Sequence, residues 1–173
     1  GRIGRNVIIR ATGFNMQIYG YDPYVDEEFC KKYRVKVTDL PTLFKESDII
    51  TLHAPLTEQT RHMVNRETIS LMKKSAFLIN TARGELIDEE ALFEALKEKK
   101  IAGAALDCFS KEPPGRDFPL FKLENALFTP HIGAYTLEAN RNMGIMAAKS
   151  VVDVFKGNIP ENIVNREVLN LTK

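Results

Sequence analysis

One arginine, one glutamate and two histidines stand where polar side chains could do chemistry. Arg83 lies in N-T-A-R-G, where Gly84 permits a tight turn and a guanidinium can present its planar fork to a carboxylate. His131, in P-H-I-G-A, carries an imidazole that can give and take a proton near neutral pH. Glu112, in K-E-P-P, is either a solvated loop acid or a carboxylate that orients a histidine and favours its protonated form. His53, in T-L-H-A-P, is a second candidate for acid–base work, and spacing does not choose between it and His131. Each has a plainer reading when taken singly: a surface ion pair for the arginine, a hydrogen-bonded structural side chain for each histidine.

The opening G-R-I-G runs into a helical segment and matches the last four positions of G-x-G-x-x-G. In that pattern the backbone and the helix-terminal N–H groups hold a pyrophosphate. An acid about 20 residues further on would accept hydrogen bonds from a ribose, and Asp22 stands near that place. Asp22 also precedes Pro23, so a turn former is its plainer reading. The chain opens inside the motif with Gly rather than Met. An upstream segment is therefore expected to be missing.

These residues need elements to position them. Near-continuous apolar runs recur at residues 17–22, 48–53, 76–81, 101–107 and 126–131, with a weaker run at 34–37 that reads as a short edge strand. Unbroken rather than alternating, they have the pattern of parallel strands covered on both faces. Helices are expected between them at 5–11, 26–32, 40–46, 66–72 and 88–99, the last with Asp88 as its N-cap. Strand–helix alternation implies a doubly wound parallel sheet in an α/β domain. Ligands of such sheets sit outside the carboxyl ends of the strands. Asp22, His53, Arg83, Asp107 with Glu112, and His131 follow the successive runs. A long helix is expected over 136–155, with Met143, Ala147, Val151 and Val154 forming a core stripe on one face. The tail after it reads as a segment returning to another domain or subunit.

Composition narrows the function classes. The 173 residues carry 24 Lys plus Arg against 23 Asp plus Glu, a net charge of +1 that supplies no general attraction to nucleic acid. Lys97, Lys99 and Lys100 end a helical segment, where the dipole favours cations. No run approaches the roughly 18 apolar residues of a membrane span, and no leader pattern opens the chain. Cys30 and Cys108 lack the spacing of a zinc site or a disulfide framework, so no metal is expected and a reducing cytoplasm fits.

Several longer phrases, read in order, resemble the D-isomer-specific 2-hydroxyacid dehydrogenases across essentially the whole chain. They are G-R-I-G-R, Y-D-P-Y, T-L-H-A-P-L-T-E-Q-T-R-H-M-V-N, L-I-N-T-A-R-G-E-L-I-D-E-E-A-L, G-A-A-L-D-C-F-S-K-E-P-P and L-F-T-P-H-I-G-A-Y-T. The resemblance implies an NAD-dependent oxidoreductase passing a hydride between NAD(H) and a small D-2-hydroxy acid or 2-keto acid. Arg83 would hold the substrate carboxylate and keto oxygen, His131 would exchange the proton, and Glu112 would support His131. Gly1, Arg2, Ile3 and Gly4 would meet the pyrophosphate, Asp22 the ribose, His53 and Pro55 the adenosine end. Thr81, Ala82, Asp107 and Gly133, with His131, would complete the cofactor contacts, Asp107 at the nicotinamide carboxamide.

The same resemblance implies a Rossmann-like sheet lacking its first strand. Residues 1–156 would be the NAD-binding domain and 157–173 a tail belonging to an absent substrate domain. A homodimer is implied as well. Cys108 stands where the family often has Val. An NAD(H)-sensing corepressor of the same superfamily and a non-catalytic NAD-binding fragment remain alternatives. Formate dehydrogenase shares the scaffold, but Glu112 and Gly133-Ala134 disfavour it, since it has Gln before the proline and Ser-Gly after the histidine motif. Substrate side-chain choice is not legible here.

Overall fold

Strand and helix alternate as the apolar pattern requires. The computed structural model describes residues 1–170. Its elements are α1 (Arg2–Ala11), β1 (Ile18–Gly20), α2 (Glu27–Lys32), β2 (Val35–Val37), α3 (Leu40–Glu46), β3 (Ile49–Leu52) and α4 (Arg66–Ser70). They continue with β4 (Phe77–Asn80), α5 (Glu89–Lys97), β5 (Gly103–Leu106), β6 (Ala126–Phe128) and α6 (Leu137–Phe155), joined in places by single 3-10 turns. The chain divides into two compact units, Gly1–His131 and the segment from Ile132 onward. The last three residues of the expected tail, 171–173, lie outside the described residues.

Helix starts are set locally. Asp26, Asp39, Asn65, Asp88 and Thr136 each accept a first-turn backbone N–H, a contact worth about 1 kcal/mol per cap. Pro41 sits in the first turn of α3, where no intrahelical donor is needed. Three helix ends differ by two residues or more, α5 stopping at Lys97 rather than Lys99. α1 starts at Arg2 rather than near Arg5, because the Arg5 N–H already bonds the Gly1 carbonyl. α4 stops at Ser70 rather than Met72, because Leu71 and Met72 close with i→i−3 bonds that tighten its last turn.

All strand pairs are parallel, but they form two sheets. β1 pairs with β2, and the other sheet has the order β3-β4-β5-β6. Helices α3, α4 and α5 bury one face of the larger sheet: Phe44, Ile69, Leu92 and Leu96 pack with Ile50, Leu78 and Leu106. The expectation that both faces are covered fails. Ile49, Phe77 and Leu127 on the larger sheet remain about half-exposed or more. Among the described residues α1 and α2 bury none of their own.

The second unit corrects another expectation. The stripe Met143, Ala147, Val151 and Val154 is exposed rather than core, and α6 has no buried residue. Periodicity specifies an apolar face but not what covers it.

Candidate functional site

The first unit gathers its polar side chains just beyond the carboxyl ends of β1 and β3–β6. Beyond β4, Asn80 shapes the turn. Its fully buried amide donates from Nδ2 to the Arg83 carbonyl at 2.8 Å, and its Oδ1 accepts from the Ala82 N–H at 3.0 Å. The side chain thereby folds Thr81, Ala82 and Arg83 back on themselves, an Asx-type turn. Arg83 is exposed, with Nη1 bonded to the Ala82 carbonyl at 2.6 Å. Replacing Asn80 with Ala leaves a donor and an acceptor of that turn without their partner. A loss of about 1–3 kcal/mol is expected, checked by denaturant melts of the two proteins; an unchanged midpoint would mean that the turn holds without the amide.

β5 delivers two groups. Asp107 is buried and accepts from Thr129 Oγ1, beyond β6, at 2.5 Å. Cys108 is buried beside it with Sγ 3.7 Å from the Asn80 carbonyl. Burial, with Glu112 and Asp107 nearby, pushes its thiol up to about 11, so it stays protonated and unreactive.

The loop after Phe109 carries Glu112 back to His131. Nδ1 of His131 lies 2.8 Å from Glu112 Oε2 and 3.0 Å from Oε1. Oε1 also accepts from the Phe109 N–H at 3.0 Å. The bond to His131 holds the Glu112 carboxyl below its usual value, the Phe109 amide adds to it, and the charge of Arg83 contributes in the same direction. The pair's stabilisation is therefore present above the ordinary glutamate value of about 4.3 and is lost as pH falls through the lower folded value. His131 has φ of 53°, a left-handed conformation that a non-glycine residue adopts at a cost and that recurs where function fixes geometry.

His53 is placed differently. Its Nε2 lies 3.1 Å from Thr51 Oγ1, a Cβ added to Gly4 would lie 3.8 Å from its ring, and among the described residues no carboxylate bonds it. Burial lowers its pKa from the ordinary histidine value, so it is neutral at pH 7. Pro55 follows in the same loop, its carbonyl accepting from Thr60 Oγ1 at 2.7 Å.

At the other end of the site, Gly1, Arg2, Ile3 and Gly4 form the first turn of α1. Gly1 N lies 3.0 Å from Asp22 Oδ2, and Asp22 Oδ1 accepts from the Tyr24 N–H at 2.9 Å. Partial burial raises the Asp22 carboxyl, while the Tyr24 amide and the charge of Arg5 lower it. No side chain caps α1, its first turn holds no acid, and a Cβ on Gly1 would meet nothing within 4 Å. A helix start of that kind accepts an anion, and with Asp22 beside it the residues fit a dinucleotide. Gly133 lies in the second unit, in the turn closed by the Tyr135 N–H on the Ile132 carbonyl at 2.8 Å.

Three residues here were not singled out from sequence. Asn80 had a local signal, an Asx turn former two residues before a backbone bend. Thr129 and Glu89 had none, because their partners Asp107 and Ser110 lie 22 and 21 positions away.

Comparison with known proteins identifies the family. Residues 1–133 match the family model described as D-isomer specific 2-hydroxyacid dehydrogenase, NAD binding domain. The chain is 52% identical over 166 residues to a D-3-phosphoglycerate dehydrogenase of Methanocaldococcus jannaschii, covering 95% of this chain and 32% of that protein. It is 45% identical over 171 residues to a glyoxylate reductase of Korarchaeum cryptofilum, covering 99% and 52%. A crystal structure of the NAD-complexed D-isomer specific 2-hydroxyacid dehydrogenase from Lactobacillus delbrueckii ssp. bulgaricus superposes with a TM-score of 0.88 at 36% identity, covering 95% of this chain and 54% of that one. The chain thus spans about a third to a half of the length of these relatives. With an α/β fold of parallel strands, an open helix start beside Asp22 and a match over residues 1–133, the chain belongs to the NAD binding domain of the D-isomer specific 2-hydroxyacid dehydrogenases, and its cofactor is NAD.

Proposed function

We propose that this domain serves an oxidoreductase interconverting a small D-2-hydroxy acid and its 2-keto acid, with His131 exchanging the proton. The observation that carries it is the His131–Glu112 pair at 2.8 Å, reached by the charge of Arg83. Glu112 occupies Nδ1, so the proton passes at Nε2, and the carboxylate fixes the orientation of the ring. Arg83 anchors the substrate carboxylate with its planar fork and stabilises charge growing on the keto oxygen. NAD, when bound, supplies or accepts the hydride. In reduction protonated His131 gives its proton to the substrate oxygen; in oxidation the neutral ring takes it back. His53 has no carboxylate partner and is kept neutral, which suits contact with the adenosine end, beside Pro55, better than proton transfer. Gly1, Arg2, Ile3 and Gly4 hold the pyrophosphate in this proposal. Thr81, Ala82, Asp107 and Gly133 border the nicotinamide side.

Residues 157–173 belong with a substrate domain, residues 1–156 with the cofactor, and the protein acts as a cytoplasmic homodimer. Steady-state turnover of NADH with glyoxylate, hydroxypyruvate, pyruvate and phosphohydroxypyruvate tests the activity. Cofactor binding without turnover on any of them would leave a binding protein instead.

Asp22 carries a further expectation. Its carboxylate accepts from a ribose hydroxyl and repels a 2′-phosphate, so NADH should bind more tightly than NADPH. Asp22→Ala should narrow the difference. Tighter binding of NADPH by the unaltered protein would remove Asp22 from this role.

A further inference from the structure

The loop that carries Glu112 is exposed from Ser110 to Pro113, yet it must hold a carboxylate within hydrogen-bonding distance of His131. Its first two amides are both taken by carboxylates. The Phe109 N–H goes to Glu112 itself at 3.0 Å, which stiffens the loop internally. The Ser110 N–H goes to Glu89 Oε1 at 2.8 Å, which ties the loop to another element. Glu89 is the first residue of α5, whose start is capped by Asp88 and whose Ala91, Leu92, Ala95 and Leu96 are buried. It is therefore mounted on one of the best-anchored helices of the domain.

The same helix follows the turn that carries Arg83. Gly84, next to that arginine, is packed so closely that an added Cβ would lie 1.9 Å from the Phe109 carbonyl carbon and 2.2 Å from the Ser110 N. The Arg83 turn and the Glu112 loop are thus in backbone contact, with Glu89 closing the seam from the helix side.

We propose that Glu89 is a positioning residue for the Glu112–His131 pair, acting through the Ser110 amide and setting the pair's distance from Arg83. This rests on the roles given above to Arg83, Glu112 and His131. A carboxylate accepting from a backbone N–H is among the stronger hydrogen bonds. A catalytic group displaced by about 1 Å can lose up to about 100-fold in rate. The plainer role of Glu89 is that of an acid in the first turn of a helix, favoured by the dipole. That role touches helix stability alone.

The test uses Glu89→Ala and Glu89→Gln in the complete enzyme. Glutamine keeps an acceptor for the Ser110 N–H and loses only the charge. The readouts are kcat and KM for a 2-keto acid and the NMR chemical shifts of the His131 ring. The charged or titratable groups around the pair, Arg83, Asp107 and Cys108, are unaltered in both variants. Glu89→Ala should lower kcat about 10-fold, change KM for NADH little, and displace the His131 ring signals. Glu89→Gln should restore most of both. Unchanged His131 ring signals in Glu89→Ala, or equal losses in the two variants, overturn the proposal. If the unaltered enzyme turns over no 2-keto acid while the ring signals still move in Glu89→Ala and recover in Glu89→Gln, the positioning stands and the proposed activity falls.

Discussion

Replacing His131 with Ala is expected to lower kcat for 2-keto acid reduction about 10²–10⁴-fold. The loss follows from the role of Nε2: without a proton donor, the keto oxygen must accept charge as hydride arrives, with only Arg83 left to offset it. Affinity for NADH should fall by less than kcat, because losing one of several cofactor contacts costs less than losing the proton donor. Glu112→Gln separates the ring from its support. The amide keeps the shape but loses the charge that holds the ring, so kcat for reduction should fall. Steady-state rates of both variants in the complete enzyme provide the check. Retention of most activity by His131→Ala would return the acid–base role to His53 or to solvent, and an unchanged kcat for Glu112→Gln would leave the charge in the 2.8 Å contact without a catalytic purpose.

The second large effect concerns the sheet. Among the described residues β1 pairs only with β2, and β3 only with β4. The first turn of α1 lies near the carboxyl ends of both sheets, with Gly1 N 3.0 Å from Asp22 Oδ2 and a Cβ added to Gly4 within 3.8 Å of the His53 ring. A parallel strand leading into Gly1 would therefore run beside both β1 and β3, at about 4.8 Å from each, and make one sheet of two. Beside that position Ile3 is 66% exposed and Ile49 48%. Each aliphatic side chain newly buried contributes about 1.5–3 kcal/mol, and a whole domain is stable by only about 5–15 kcal/mol. Residues 1–173 alone are therefore expected to be unstable or to aggregate through their open edges, and to be inactive on 2-keto acids. Supplying a strand-forming segment ahead of Gly1 should produce a cooperative melt and tighter NADH binding. A cooperative melt with turnover from residues 1–173 by themselves would show that the two sheets suffice.

What the sequence determined by itself is what lies within a few residues of its own cause. The bounds of α3, the caps at Asp88 and Asp26, and the order of strands and helices follow from side chains acting on backbone three or four positions away. The position of Arg83, Glu112 and His131 just past strand ends was equally legible, because a strand's end is a local event. Spacing did not decide which histidine meets a carboxylate; the resemblance implied His131, and the tertiary structure supplies the contact. Glu112 is 19 positions from His131, and the return of the chain after β5 brings them together while His53 lies against Thr51. The tertiary structure also decided that Thr129 bonds Asp107 and that Glu89 holds Ser110. Burial is of the same kind. The apolar runs of β3 and β4 and the stripe of α6 are consistent with coverage on any side, and their exposed faces depend on which neighbour folds against them. A hydrophobic pattern expresses a local preference to leave water, whereas its satisfaction requires a surface supplied from elsewhere in the protein.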